Sequence, residues 1–408
     1  MDLKQLIYDW NHGEDKPLFS HPFEITDETL RDGLQSPSVR NPEIGEKIQM
    51  LHFMEELGIQ AVDIGLPGAG PKHYQDTFRL AQEIAGQRMK IHPNCAARTT
   101  FSDIQPIIEI SQKVGLEIEI AAFLGSSPIR QFAEEWELET LIKHTDEAVK
   151  LGVKNSLPVM FVTEDTTRSH PDTLRQLYQK AIECGAGRIC LSDTVGYATP
   201  HGVKNLVNFA KKIARDVNPE VKIDWHGHRD RDLAIANTLT ALESGVDRVH
   251  GAVLGMGERV GNTPLDLLLI NLKLLNGISQ NLVKLGDYVS LVSRSCSVQI
   301  PDNYPVFGRD AFRTATGVHA SAIIKAEKKG DSWLADRVYS SIPAGDFGLK
   351  QRIEIGYMSG QSNVIYWLEK HGLSAGKDDV ERILKKAKES NKILTEEEIL
   401  QTLSLKNI

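Results

Sequence analysis

Along the first 290 residues the apolar positions follow two alternating rhythms. Short runs that are wholly apolar, or that alternate with period two, fall at Phe23–Thr26, Ala61–Ile64, Met89–His92, Ile118–Ala121, Pro158–Phe161, Arg188–Leu191, Val221–Trp225 and Arg248–Gly251. From Phe23 to Arg248 seven steps cover 225 residues, about 32 per step, which is room for a strand, a crossover helix and the return. Between the runs lie amphipathic stretches such as Glu43 to Leu57 and Leu138 to Leu151, the second expected to stop at Gly152 in a left-handed cap. Eight such β/α units predict an α/β fold closed as a (β/α)8 TIM barrel.

A barrel of that kind takes about 250 residues, and this chain has 408. The β/α rhythm stops near residue 290, and Asp378 to Leu405 is rich in Lys and Glu with apolar residues at helical spacing. The expected division is an N-terminal arm (1–21), a barrel (22–290) and mainly helical C-terminal subdomains (291–408). With 41% hydrophobic and 25% charged residues the composition excludes general disorder. The net charge of −8, without a basic block, argues against a nucleic-acid partner. Apolar runs such as Ile120–Leu124 fall far short of the roughly 20 residues that span a bilayer. Met1-Asp2-Leu3-Lys4-Gln5 does not open a signal peptide, and four scattered cysteines suit reduced thiols, so a cytoplasmic protein is expected.

In such a barrel the site is built where the strands end. The first run leads into Asp27-Glu28-Thr29-Leu30-Arg31-Asp32-Gly33-Leu34-Gln35, the fifth into Thr163-Glu164, the sixth into Ser192-Asp193-Thr194, the seventh into His226-Gly227-His228 and the eighth into Gly255-Met256-Gly257-Glu258-Arg259-Val260-Gly261-Asn262. His226 and His228 stand at i and i+2, so both imidazoles face the barrel mouth, and Asp32 would complete a two-histidine, one-carboxylate metal set with positions left open. Arg31 either stabilises a developing alkoxide or serves as a structural ion-pair partner. Glu164 is either a general base or an acid complementing a helix dipole. Thr194 either binds a carboxylate or caps the following helix. Gly255-x-Gly257 lacks the context of a dinucleotide fingerprint and fits close approach of backbone to a ligand.

Together these motifs resemble the 2-isopropylmalate synthase and homocitrate synthase family, TIM-barrel enzymes that condense acetyl-CoA with a 2-oxo acid. The likeness rests on the Asp27–Gln35 stretch, on His226-Gly227-His228-Arg229-Asp230 with Ala236-Asn237, on Gly255–Asn262 and on Thr316-Gly317-Val318-His319. It implies an acyltransferase in which Asp32, His226 and His228, with Asn262, hold a divalent Zn, Mn or Mg ion that chelates the 2-oxo acid. Arg31 would polarise the keto oxygen, Gln35 and Thr194 would bind the oxo acid, and Gly255, Gly257 and Glu258 would meet the co-substrate acetyl-CoA. Glu164 would deprotonate the acetyl methyl with His319 and Tyr339, the last two reaching across a homodimer to complete the partner's site; the resemblance thus implies that the subdomains of 291–408 complete the active site, with no separate regulatory domain expected.

Two departures bear on the substrate. Ala121 stands where leucine-pathway members usually have histidine, and Val162 where serine is frequent, which makes the pocket more apolar, with the first change also making it larger. With Phe123 beside them, these positions favour an apolar 2-oxo acid, 2-oxoisovalerate or a bulkier one such as phenylpyruvate. Arg31-Asp32 in place of the Arg-Glu of homocitrate synthases argues against 2-oxoglutarate, unless Arg98 or Arg130 supplies a cation for its second carboxylate. The alternatives are a homocitrate or citramalate synthase, or a non-catalytic regulator that binds CoA or metal. An acyl-CoA lyase would carry a cysteine in the loop from Gly255 to Asn262, and a biotin-dependent carboxyltransferase a lysine near Ser192; neither is present.

Overall fold

The computed structural model describes residues 6–11, 18–374 and 376–404. Eight parallel strands close in chain order: β1 (Glu24–Asp27), β2 (Ala61–Asp63), β3 (His92–Arg98), β4 (Glu119–Gly125), β5 (Val159–Glu164), β6 (Arg188–Asp193), β7 (Lys222–Gly227) and β8 (Arg248–Gly251). β8 pairs back onto β1 through Thr26 and His250, so the barrel has no free edge. Each strand residue faces either the surrounding helices or the interior. Thus Thr163 and Asp27 look outward, where they meet Tyr178 and Tyr288 on helices, while Arg188, Asp224 and Arg248 look inward and pair with one another's charges. Burial on both faces is why these strands read as nearly continuous apolar runs.

The third strand lies later than expected, at His92–Arg98 rather than Met89–His92. Its sequence, His-Pro-Asn-Cys-Ala-Ala-Arg, opens with turn-like residues that mask it, whereas the more apolar Met89-Lys90-Ile91 is an approach segment whose Lys90 and Ile91 amides bond to the Glu55 carboxylate at 2.9 and 3.0 Å. Gly152 is not a cap, because helix Leu138–Lys154 runs through it. A Cβ there would come 2.5 Å from Val159 Cγ2 and 3.0 Å from Ile120 Cδ1, so the glycine lets the helix sit close against β4 and β5.

The described residues form two compact units, one within 11–299 and the other made of those within 300–404 together with 6–10. The barrel unit extends past residue 290 because helix Leu285–Cys296 belongs to it: Leu285, Tyr288, Val289 and Val292 are buried, and Tyr288 Oη donates to Asp27 Oδ2 at 2.6 Å. In the other unit helices Gly317–Lys328, Ser332–Arg337, Gln361–Lys370, Lys377–Glu389 and Glu396–Ser404 accompany a two-stranded parallel pair, β9 (Arg313–Thr314) and β10 (Arg352–Ile353). Its core is built around Ile355, Val364, Leu368, Ile383 and Ile399. All four cysteines are free, and among the described residues no helix is long and apolar enough to cross a membrane.

Candidate active site

The C-terminal ends of the strands enclose a cavity of about 200 Å³. Arg31, Asp32, Gln35, Ala121, Phe123, Val162, Glu164, Thr194, His226, His228 and Glu258 all line it, although the sequence spreads them over more than two hundred positions. His319 and Tyr339 lie in the other unit, where their rings are 4.2 Å apart.

The i, i+2 spacing at the end of β7 brings His226 Nε2 and His228 Nε2 to 3.1 Å. Asp32 Oδ2 stands 3.5 Å from the first and 3.8 Å from the second. His226 Nδ1 meets Glu28 Oε2 at 2.8 Å, and since the carboxylate accepts, Nδ1 carries a proton and Nε2 is the atom left to ligate a cation beside His228 Nε2 and Asp32 Oδ2. Three electron-rich atoms within 4.8 Å of one another, all on buried or nearly buried side chains, fit a divalent cation. Without one, burial and the neighbouring charge of His226 push His228 down to about 4. His228 Nδ1 is buried without a partner.

A second cluster, Glu28 with His226 and His250, satisfies itself without a metal. Glu28 Oε1 takes His250 Nδ1 at 2.9 Å, and His250 Nε2 meets Asp224 Oδ2 at 2.9 Å. Asp224 in turn accepts from Arg188 at 2.6 Å and Arg248 at 2.7 Å, and Arg248 also binds Glu119 at 2.5 Å. Burial alone would raise Glu28, but the charges of His226 and His250 hold it well below the usual carboxylate range. This buried chain of alternating charges props His226 from beneath.

Arg31 is anchored to Asp63 through Nε at 2.7 Å and to Asp32 through NH1 at 3.1 Å, so it acts as an ion-pair partner while keeping further N–H donors at the cavity wall. Burial lifts Asp63 to about 6 despite that guanidinium. Asn262 donates Nδ2 to Asp32 Oδ2 at 2.5 Å and thereby fixes the carboxylate. Its Oδ1 faces Gly257, where a Cβ would come within 2.2 Å and the backbone φ is 151°; the glycine serves this loop packing. Gly255, with φ 61°, likewise packs against Arg229 and Pro264, so of the three loop residues only Glu258 reaches the cavity.

Burial raises the pKa of Glu164, opposed by Arg130, whose guanidinium lies 3.8 Å away. A carboxylate so placed binds a proton more readily than an exposed one, as a base must. Thr194 does not cap the next helix; Thr199 does, accepting from Gly202 N. Thr194 Oγ1 accepts from Asp165 N at 2.8 Å, and its hydroxyl proton remains to be donated. Opposite these polar groups Ala121, Met160 and Cys190 pack with Val162 into an apolar wall. Arg98 is turned away from this cavity: it is 63% exposed and grips Asp103 through two 2.8 Å bonds.

The HMGL-like family profile matches residues 22–292, and the chain belongs to that family. A 2-isopropylmalate synthase of Pyrococcus furiosus is 30% identical over 90% of this chain and 72% of its own length. The homocitrate synthase AksA of Methanothermobacter thermautotrophicus is 29% identical over 93% of this chain and 92% of its own. Among solved structures a hydroxymethylglutaryl-CoA lyase from Pseudomonas aeruginosa matches with a TM-score of 0.57 at 18% identity, covering 68% of this chain and 94% of that one. That likeness confirms the barrel and carries no activity.

Glu28, Asp63, Asn94 and His250 line the cavity without having been singled out from the sequence. One signal was present: polar residues at every second position inside otherwise apolar strands, as in Asp224, His226 and His228 or Arg248 and His250, mark the interior face.

Proposed function

We propose that the protein is a metal-dependent acyltransferase that condenses acetyl-CoA with an apolar 2-oxo acid and water, giving a 2-substituted malate and CoA. The observation that carries this is the convergence of Asp32, His226 and His228 beside Arg31, facing an apolar wall of Ala121, Met160 and Val162. Relatives named as 2-isopropylmalate, homocitrate and citramalate synthases support the reaction class. A divalent cation held by Asp32, His226 and His228 supplies Lewis acidity toward the 2-oxo acid when bound.

The chain's own groups do the rest. Thr194 donates its hydroxyl to the substrate carboxylate, with Gln35 at the same wall, and Arg31 offers N–H donors where negative charge develops on the keto oxygen. Glu164 removes a proton from the acetyl methyl, the methyl carbon bonds to the keto carbon, and water then cleaves the thioester to release CoA. His319 and Tyr339 assist from a second protomer in this scheme, and Glu258 meets the acyl-CoA.

The apolar wall favours a side chain without a second carboxylate, such as 2-oxoisovalerate or phenylpyruvate, and of the two candidate cations Arg98 is held by Asp103 while Arg130 is paired with Glu134 and Glu164. The test is release of CoA thiol from acetyl-CoA across a panel of 2-oxo acids with metal added. Turnover is expected with apolar acids and lost in Asp32→Ala and His228→Ala. No thiol release with any acid would remove the proposal.

A further inference from the structure

Nothing in that scheme uses the residues directly behind the proposed base. β5 ends at Glu164, and the next residue, Asp165, stands in the left-handed region at φ 57° and ψ 38°. That conformation is uncommon for a residue with a Cβ and persists where the surroundings enforce it. Asp165 is 2% exposed, and Arg168 grips its carboxylate in a fork, Nε to Oδ1 at 2.8 Å and Nη2 to Oδ2 at 2.7 Å. Neither of the two is among the residues lining the cavity.

What the turn holds is the peptide group between Glu164 and Asp165. Its N–H, from Asp165, donates to Thr194 Oγ1 at 2.8 Å, just past the end of β6. Its carbonyl, from Glu164, accepts from Ser126 N at 3.1 Å and Ser126 Oγ at 2.9 Å, just past the end of β4. One peptide plane is thus pinned at both poles, with the side chain of the proposed base leaving from one side of it and the proposed carboxylate binder bonded to the other. The left-handed turn lets the chain depart into the short helical turn Thr166–Arg168 while that plane stays fixed, and the fork from Arg168 closes the turn, which Ser169 Oγ also secures by donating to the Asp165 carbonyl at 2.9 Å.

Resting on the synthase reading above, we infer that Asp165, gripped by Arg168, is a positioning residue for the condensation: it holds the peptide that joins Glu164 to Thr194 and so fixes the base relative to the bound 2-oxo acid. The residue type fits both parts of the task. Asp and Asn are the side chains other than glycine that enter the left-handed region most readily, and only the carboxylate of Asp also accepts both arms of the Arg168 fork.

The test reads kcat and KM separately in the thiol-release assay. Asp165→Ala removes the fork and the tolerance for the turn, so kcat is expected to fall about tenfold to a hundredfold and KM for the 2-oxo acid to rise, with the far-ultraviolet circular dichroism unchanged. Asp165→Asn keeps the turn preference and one acceptor toward Arg168, and is expected to recover most of the lost kcat. A residue serving stability alone would shift the urea midpoint and leave both constants of the folded enzyme as they are. Should the alanine variant not fold, Arg168→Gln removes the fork with Asp165 in place and is expected to change kcat and KM in the same directions. Wild-type kcat and KM in the folded alanine variant, or in Arg168→Gln where that is the one used, or an asparagine variant as slow as the alanine one, overturns this inference and leaves the synthase reading standing. No release by the wild-type protein with any acid overturns both.

Discussion

Removing the charge of Glu28 probes the buried support of the metal set without touching a proposed ligand. In Glu28→Gln one of two carboxylate oxygens, those 2.8 Å from His226 Nδ1 and 2.9 Å from His250 Nδ1, becomes an NH2 that cannot accept a proton-bearing nitrogen. If the NH2 faces His226, that ring must carry its proton on Nε2, the atom 3.1 Å from His228 Nε2, where the cation's lone pair is needed. If it faces His250, the bond to a ring paired with Asp224 is lost instead. Supports of this kind are worth 10- to 100-fold in metal affinity, or about 1.4 to 2.8 kcal/mol. Calorimetric titration of Zn or Mn into chelator-stripped protein is therefore expected to show a dissociation constant raised by that factor, with the far-ultraviolet circular dichroism unchanged. A folded Glu28→Gln with wild-type metal affinity would refute the reasoning that His226 is oriented through Glu28.

Three further outcomes follow from the geometry. Gly152→Ala places a methyl 2.5 Å from Val159 Cγ2, and the overpacking should cost about 1 to 3 kcal/mol, read as a lower urea midpoint; an unchanged midpoint would show that the helix can move off the sheet. Because Glu164 must be ionised to act as base and burial raises its pKa, kcat should rise with pH through a value above the ordinary 4.5, and Glu164→Gln should lower kcat at least a hundredfold and abolish that limb. Burial alone would lower His250, yet Glu28 and Asp224 raise it from 6.5 to about 9, so its contribution to stability is complete below pH 6.5 and lost as pH rises through about 9. Chelator-treated protein should lose resistance to urea across that window, and His250→Gln should flatten the loss.

The barrel was legible because parallel strands buried on both faces leave apolar runs at a regular step, and seven of the eight expected runs overlap the observed strands by at least three residues. The third failed where Pro93 and Asn94 look like a turn and where Ala96 and Ala97 weaken the β signal. Gly152 failed because a glycine near the end of an amphipathic run reads as a cap until the facing Val159 is known. At the site, residues at strand ends were found because the barrel gathers them by construction: Asp32, His226 and His228 meet although 194 positions separate the first two. Glu28, Asp63 and His250 were not, since their roles depend on partners across the barrel that no local pattern specifies. Arg98 looked available in sequence, and only the structure shows it committed to Asp103.

The most direct test of the condensing activity follows carbon rather than thiol. Acetyl-CoA labelled with carbon-13 in the methyl group, incubated with the metal-loaded protein and a 2-oxo acid labelled with carbon-13 at its keto carbon, should transfer its label to the methylene carbon of a 2-substituted malate, seen by nuclear magnetic resonance as a new resonance coupled to the former keto carbon. Label recovered only as acetate, or left in acetyl-CoA with every acid and metal tried, would contradict the assignment of this barrel mouth to carbon–carbon bond formation.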